Sequence, residues 1–260
     1  MRPLQGKRIV VTRAVGQTDD MISRLKSLGA EVVHLPMIAF VPPDSWHDCD
    51  RAIEKLPGYQ WIIFTSVNGI RFFLRRLEEK KTPLTALTEK SIAAVGERTA
   101  TELTSLGLTV DLIPERYDAE GLVEAFRKLD LKNVRMLLVQ PQKSRDFLAR
   151  HLREMQAQVD IAVVYKNQPT DAKTLNQSAA LVNGSKIDVI TFTSPSTVRN
   201  FAKLFGSEKL TKWIDRGCKT AAIGNITAAA LTELHLPVDI LPEKATASDL
   251  IDKIADYFHE

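Results

Sequence analysis

Trp61 to Phe73 reads WIIFTSVNGIRFF: an apolar run that stops at Thr65-Ser66, then an Asn-Gly, then a new apolar rhythm. Four large apolar residues in a row suit a parallel strand covered on both faces, and Ser66 and Asn68 are residue types that cap helix N-termini. The helix that follows is marked by Ile70, Phe73, Leu74 and Leu77. The same arrangement returns from Val189 to Phe201 as VITFTSPSTVRNF, with Thr65 answered by Thr193, 128 residues later. The chain is therefore read as an internal duplication with two equivalent strand-to-helix centres.

The echoes extend along the chain. RIVVT from Arg8 is answered by RMLLV from Arg135, the Gly96 junction AAVGERTA by the Gly224 junction AAIGNITA, and VDLIPE from Val110 by VDILPE from Val238. Met21, Ile22, Leu25 and Leu28 mark a helix ended by Gly29, and Asp118 caps another. TVDLIPE, residues 109–115, is read as a further strand. Two extended segments, 36–43 and 161–169, are punctuated by Pro36, Pro42, Pro43 and Pro169 and read as connectors. Strands alternating with helices predict an α/β fold of two similar doubly wound domains with parallel sheets.

Composition narrows the function class. At 260 residues there is room for two domains, each with its own core. Hydrophobic residues at 44% and charged ones at 26% are ordinary for a soluble protein, and no apolar stretch nears the ~18 residues that suggest a membrane span. The N-terminus enters a strand at once, leaving no room for a signal peptide, so a cytoplasmic location is expected. Cys49 and Cys218 occupy unmatched places and are read as free thiols. A net charge of +3 favours an anionic small molecule mildly and gives no nucleic-acid stripe.

In open α/β sheets ligands collect beyond the carboxyl ends of strands, beside helix N-termini. The residues at those ends are Thr12 and Arg13; Thr65, Ser66, Asn68 and Gly69; Gly96, Thr99 and Ala100; Ser194, Ser196 and Thr197; and Gly224, Thr227 and Ala228. For any one hydroxyl a simple cap is the stronger reading; the set as a whole points equally to binding. No G-x-G-x-x-G, P-loop or G-x-S-x-G occurs, and the five histidines lack metal-ligand spacing. Neither a metal nor a cofactor is expected. Tyr165, late in VVYKNQP, is from pattern alone more simply a partly buried strand residue.

Taken together, FTSVNGIRFF, AVGERTA, ERYDAEGL, VVYKNQP, FTSPSTV and AIGNITAAAL resemble the uroporphyrinogen-III synthase family over nearly the whole chain. One departure is Gln140-Pro141 where the family often has Arg-Gly, although Arg145, Leu148 and Leu152 keep the later pattern. The resemblance implies that residues 1–35 with 170–260 form one domain and 44–160 the other, joined by a two-stranded crossover from 36–43 and 161–169. It implies a cofactor-free lyase of haem biosynthesis that cyclises hydroxymethylbilane, an anionic linear tetrapyrrole, with loss of water and inversion of ring D. The strand-end residues and Arg145 would bind substrate, and Tyr165 would be the catalytic acid. A monomer with neither nucleic-acid nor membrane partners is expected. The competing reading is a non-catalytic two-domain sensor or binding protein for a small anionic ligand.

Overall fold

Successive residues of the central strands are buried on opposite faces of a sheet, which is why those segments read as unbroken apolar runs. The computed structural model describes every residue except 1, 17, 172–173, 176–181, 183–185 and 260. The chain divides into unit 1, Met1–Ala39 with Gln168–Glu260, and unit 2, Phe40–Asn167.

Unit 1 is built on β1 (Arg8–Val11), β2 (Glu31–His34), β8 (Val189–Phe192) and β9 (Lys219–Ala222). Their order is β2-β1-β8-β9, and every neighbouring pair is parallel. Val10, Ile190 and Phe192 face Val198 and Phe201 of α7 (Pro195–Phe205), Trp213 of α8 (Ser207–Asp215) and Leu231 of α9 (Asn225–Glu233). Ile9, Val11 and Val189 face Leu25 of α1 (Asp19–Ser27) and Ile254 of α10 (Ala247–Tyr257). Sheet faces covered by helices on both sides leave no room for a polar strand residue that is not hydrogen-bonded.

Unit 2 holds β4 (Trp61–Phe64), β5 (Ser91–Ala94) and β6 (Arg135–Pro141), with β3 (Ile38–Val41) and β7 (Gln158–Pro169) passing across the division of the chain. The order is β3-β7-β6-β4-β5, and the pairs β7-β6, β6-β4 and β4-β5 are parallel. Ile62, Phe64 and Leu137 face Ile53 of α2 (His47–Glu54), Phe73 of α3 (Val67–Glu79) and Leu103 of α4 (Glu97–Ser105). Ile63, Met136 and Leu138 face Phe126 of α5 (Ala119–Phe126) and Leu152 of α6 (Phe147–Glu154). Truncating Phe73 or Phe201, both fully buried, removes contacts worth about 3–5 kcal/mol. Across the helices, Arg76 grips Asp50 with two bonds of 2.7 Å, which ties α3 to α2 and holds the Asp50 carboxyl below its ordinary pKa range. Both cysteines are free and buried, and burial pushes their thiols up to about 12.

One expected strand is not formed. TVDLIPE and its echo contribute a single bridge each, Leu112 to Ala93 and Ile240 to Ala221. The reason lies in the motif. The Asp111 carboxylate takes the Ile92 N–H at 2.8 Å, and the Asp239 carboxylate takes that of Thr220 at 2.8 Å, so side chains occupy donors a continuing ladder would use. Pro114 and Pro242 then deny the segment further donors.

Several helices end in one recurring way. After α1 and α4 the chain turns through Gly29 and Gly107 at φ +97 and +79, with paired bonds back to the helix of the kind that closes a Schellman motif. At the equivalent ends of α6 and α9 the same turn carries Gln156 and His235, at φ +66 and +56. Those side chains are exposed, so nothing around them demands a side chain at a left-handed position that favours glycine. Gln156→Gly and His235→Gly should each stabilise the protein by about 0.5–1 kcal/mol, raising Tm by roughly 1–4 °C. An unchanged or lowered Tm in thermal melts would contradict this account of the turns.

Candidate functional site

In unit 1 the connection from β1 runs to β2 on one side and that from β8 to β9 on the other, so the carboxyl ends of β1 and β8 flank the switch point of the sheet. In unit 2 the same holds for β6 and β4. Each of β8, β9, β4 and β5 feeds a helix at that end, through Ser194, Gly224, Ser66 and Gly96 as N-caps.

The nominated hydroxyls fall into two groups. Several are held by the fold. Thr12, fully buried, donates to the Thr191 carbonyl at 2.7 Å, and Thr65 donates to the Val139 carbonyl at 3.1 Å. Ser66 accepts the Gly69 N–H at 3.0 Å; Ser194 and Thr197 form a capping box, and Ser196 contacts Ser194 at 3.0 Å. Thr99 and Thr227 differ. Both lie buried in the first turn of their helices, and their hydroxyls make no hydrogen bond to any described residue. They are therefore available to a ligand, beside Ala100 and Ala228, which are also buried.

Gly96 and Gly224 are extended, at φ −171 and −177, so conformation does not demand glycine there. Space does. A Cβ on Gly96 would stand 3.0 Å from Tyr117 Cβ, and one on Gly224 would stand 2.9 Å from Ala245 Cβ. Gly69 packs more loosely, 3.3 Å from Ser66 Oγ.

Tyr165 is buried, with 5% of its surface exposed, between Phe72, stacked at 5.6 Å, and Phe40, edge-on at 5.7 Å. Its hydroxyl lies 3.1 Å from Ser66 Oγ, which brings it to the cap of α3. Burial pushes the phenol pKa up, and the bond with Ser66 opposes that shift, so the group is protonated at neutral pH. A bulge at Gln140/Pro141 sets Pro141 opposite Tyr165 and lets the Gln142 N–H donate to the Tyr165 carbonyl at 2.7 Å. The Gln142 amide and Lys166 both hold Asp44 and lower its pKa, which fastens the chain on either side of Tyr165. Arg145 follows β6 with its side chain 74% exposed, paired to Glu120 at 3.2 Å. Arg13 offers its carbonyl to His34 Nε2 at 2.8 Å, and Asn68 is buried in the first turn of α3.

Sequence reasoning passed over the exposed apolar side chains at these rims, Val15, Ile226 and Tyr117. The signal for Ile226 was present, since the otherwise repeated Gly96 and Gly224 motifs differ there, Arg98 against Ile226. Among the described residues no group of three or more His, Cys, Asp or Glu could hold a metal ion, and no helix is long and apolar enough to cross a membrane.

Comparison with known proteins adds an independent line. A family model described as uroporphyrinogen-III synthase HemD matches residues 19–252. The uroporphyrinogen-III synthase of Synechococcus elongatus is 30% identical, over 96% of this chain and 95% of that protein. The porphyrin biosynthesis protein HemD of Ruminiclostridium josui is 31% identical over 98% of this chain, which spans 49% of that longer protein. In fold, the chain is similar to the crystal structure of uroporphyrinogen-III synthetase from Helicobacter pylori, with a TM-score of 0.64 and 21% identity over 96% and 99% of the two chains.

The steric account of the rims is testable. Gly224→Ala and Gly96→Ala should each cost about 1–3 kcal/mol, because the neighbouring main chain must move. Urea unfolding measures it, and wild-type midpoints would remove the close approach as the reason for glycine.

Proposed function

The chain belongs to the uroporphyrinogen-III synthase family, and we propose that it closes hydroxymethylbilane to uroporphyrinogen III, with Tyr165, Thr99 and Thr227 as its principal donors. The family match carries the activity, and it favours an enzyme of tetrapyrrole biosynthesis over a non-catalytic binding protein. Each unit has a buried first-turn threonine whose hydroxyl is left without a partner among the described residues, Thr99 in unit 2 and Thr227 in unit 1, which supports their role as donors.

The reaction makes modest demands. The hydroxymethyl C–O bond breaks and the oxygen leaves as water, taking one proton. The substituted carbon of ring D attacks the azafulvene that remains, and the spiro intermediate reopens and recloses with ring D inverted, releasing a proton. Electron-rich pyrroles drive ionisation, so the protein has mainly to hold ring D for attack by the substituted carbon. A neutral phenol at Tyr165 can donate to the departing oxygen, and its burial keeps it neutral. Substrate carboxylates suit the hydroxyl and N–H donors of the rims, with Ser66, Ser194 and Ser196 as further contacts. Arg145 would reach a carboxylate only by leaving Glu120.

The activity is tested by adding hydroxymethylbilane and separating the uroporphyrinogen isomers, since uncatalysed closure gives isomer I. A product no richer in isomer III than the blank rejects the enzyme. Within an active protein, Tyr165→Phe should slow isomer III formation under single turnover by about 10²-fold, the lower end for general acid assistance. An unchanged rate removes Tyr165 from the mechanism, and weakened affinity alone makes it a binding residue. Thr99→Ala and Thr227→Ala should each lower kcat/KM about fivefold, the value of one hydrogen bond near 1 kcal/mol. Complete loss of activity in either, with an unchanged circular dichroism spectrum, would point to a concentrated site instead.

A further inference from the structure

The two most exposed large hydrophobic side chains among the described residues, Ile226 at 79% and Val15 at 68%, belong to the same rim of unit 1. Ile226 is the second residue of α9, directly after Gly224, and Val15 lies in the segment that leaves β1. Folding does not call for apolar groups at either place. At that exposure they bury little surface, and a helix's first turn favours polar side chains. Unit 2 starts the corresponding helix with exposed Arg98 in place of Ile226, and the position that answers Val15 is the polar Gln142, at the end of a longer strand. The helix start itself therefore does not require an apolar residue at the Ile226 position, and the exposed apolar side chain at the unit 2 rim is a different one, Tyr117 beside Gly96.

We propose that Ile226 and Val15 form an apolar platform on which a pyrrole ring of the substrate lies, and so act as specificity-determining residues for the ring closure. The inference rests on the cyclase reading. A pyrrole carries its carboxylates on flexible side arms and presents a flat, weakly hydrated face. A rim made only of hydroxyls and N–H groups would hold the arms and leave the ring free to turn. Thr227 lies one residue beyond Ile226, and Ser194 and Ser196 open the helix after β8, the strand between β1 and β9, so donors and apolar surface lie on the same rim. Adjacent strands are about 4.8 Å apart, so the ends of β1 and β9 are separated by about 10 Å, the scale of one ring with its arms. Apolar contact from that rim fixes the plane of the ring, while the donors fix its edge.

The test uses the full chain and steady-state formation of isomer III from hydroxymethylbilane. Ile226→Ser should raise KM about fivefold to tenfold, and Val15→Ser with Ile226→Ser should raise it further, by roughly the loss of a partly buried aliphatic contact. Tm should stay within about 1 °C of wild type, because the side chains contribute little to folding, and Ile226→Val should keep a near wild-type KM. A wild-type KM in both serine variants overturns the platform while leaving the cyclase reading intact. Absence of isomer III above the blank in the wild-type protein removes the cyclase reading itself, and the platform with it.

Discussion

Each sheet depends on a seam between strands that lie far apart along the chain. In unit 1 the Arg8 N–H is accepted by the Asp188 carboxylate at 2.8 Å, Thr12 donates to the Thr191 carbonyl, and Thr191 donates to the Val10 carbonyl at 3.1 Å. In unit 2 the Gln60 side chain accepts the Arg135 N–H at 2.7 Å, and Thr65 donates to the Val139 carbonyl. Without its seam, β1 or β6 would present a row of buried, unpaired backbone groups, which a folded interior does not tolerate. The seam also joins unlike pieces. Each sheet takes the opening strands of one sequence repeat and the closing strands of the other, so neither repeat is itself a structural unit.

That pairing sets an order of assembly. Phe40–Asn167 is contiguous and contains every strand that pairs in the core of its sheet, whereas β1 and β2 stay without β8 until some 180 residues later. Closing a long loop costs entropy before its contacts form, so unit 2 is expected to complete before unit 1. The same seam positions the strand ends. Because β1 meets β8 and β6 meets β4, the switch point of each sheet falls where threonine and serine end the strands. Thr12 and Thr65 serve the seam, and their hydroxyls are no longer open to a ligand.

Much of this was legible in the sequence because its signals are local. The apolar runs, the Gly29 stop and the strand-to-helix junctions follow from period and capping chemistry, and the duplication follows from the echoes. What escaped depends on which groups meet in space. VDLIPE has the composition of a strand, yet Asp111 uses its carboxylate on the neighbouring strand and ends the ladder. Gln140-Pro141 was visible as a departure from the family pattern, but the shift of register there, beside Tyr165, was not. Tyr165 itself combines two readings: it is a buried strand residue stacked on Phe72, and its hydroxyl still reaches the cap of α3.

The difference between the two kinds of threonine at the rims has the same origin. A helix that begins with serine can close a capping box, and Thr197 does so, giving its N–H to the Ser194 side chain while its own hydroxyl accepts the Ser194 N–H and donates to the Ser194 carbonyl. Thr99 and Thr227 occupy the same third position of their helices, but the cap before each is glycine, which has no side chain to accept the third residue's N–H, and that N–H goes to the glycine carbonyl at 3.0 Å instead. Glycine is there because Tyr117 and Ala245 press against it. Losing a side-chain cap costs a few tenths of a kcal/mol when glycine replaces serine, a small sum beside a clash with main chain. Close packing of one loop against one helix start thus leaves that helix without a side-chain cap. On the proposed function, an anionic substrate would meet the Thr99 and Thr227 hydroxyls at helix starts that no side chain caps, while Tyr165 would supply the acid.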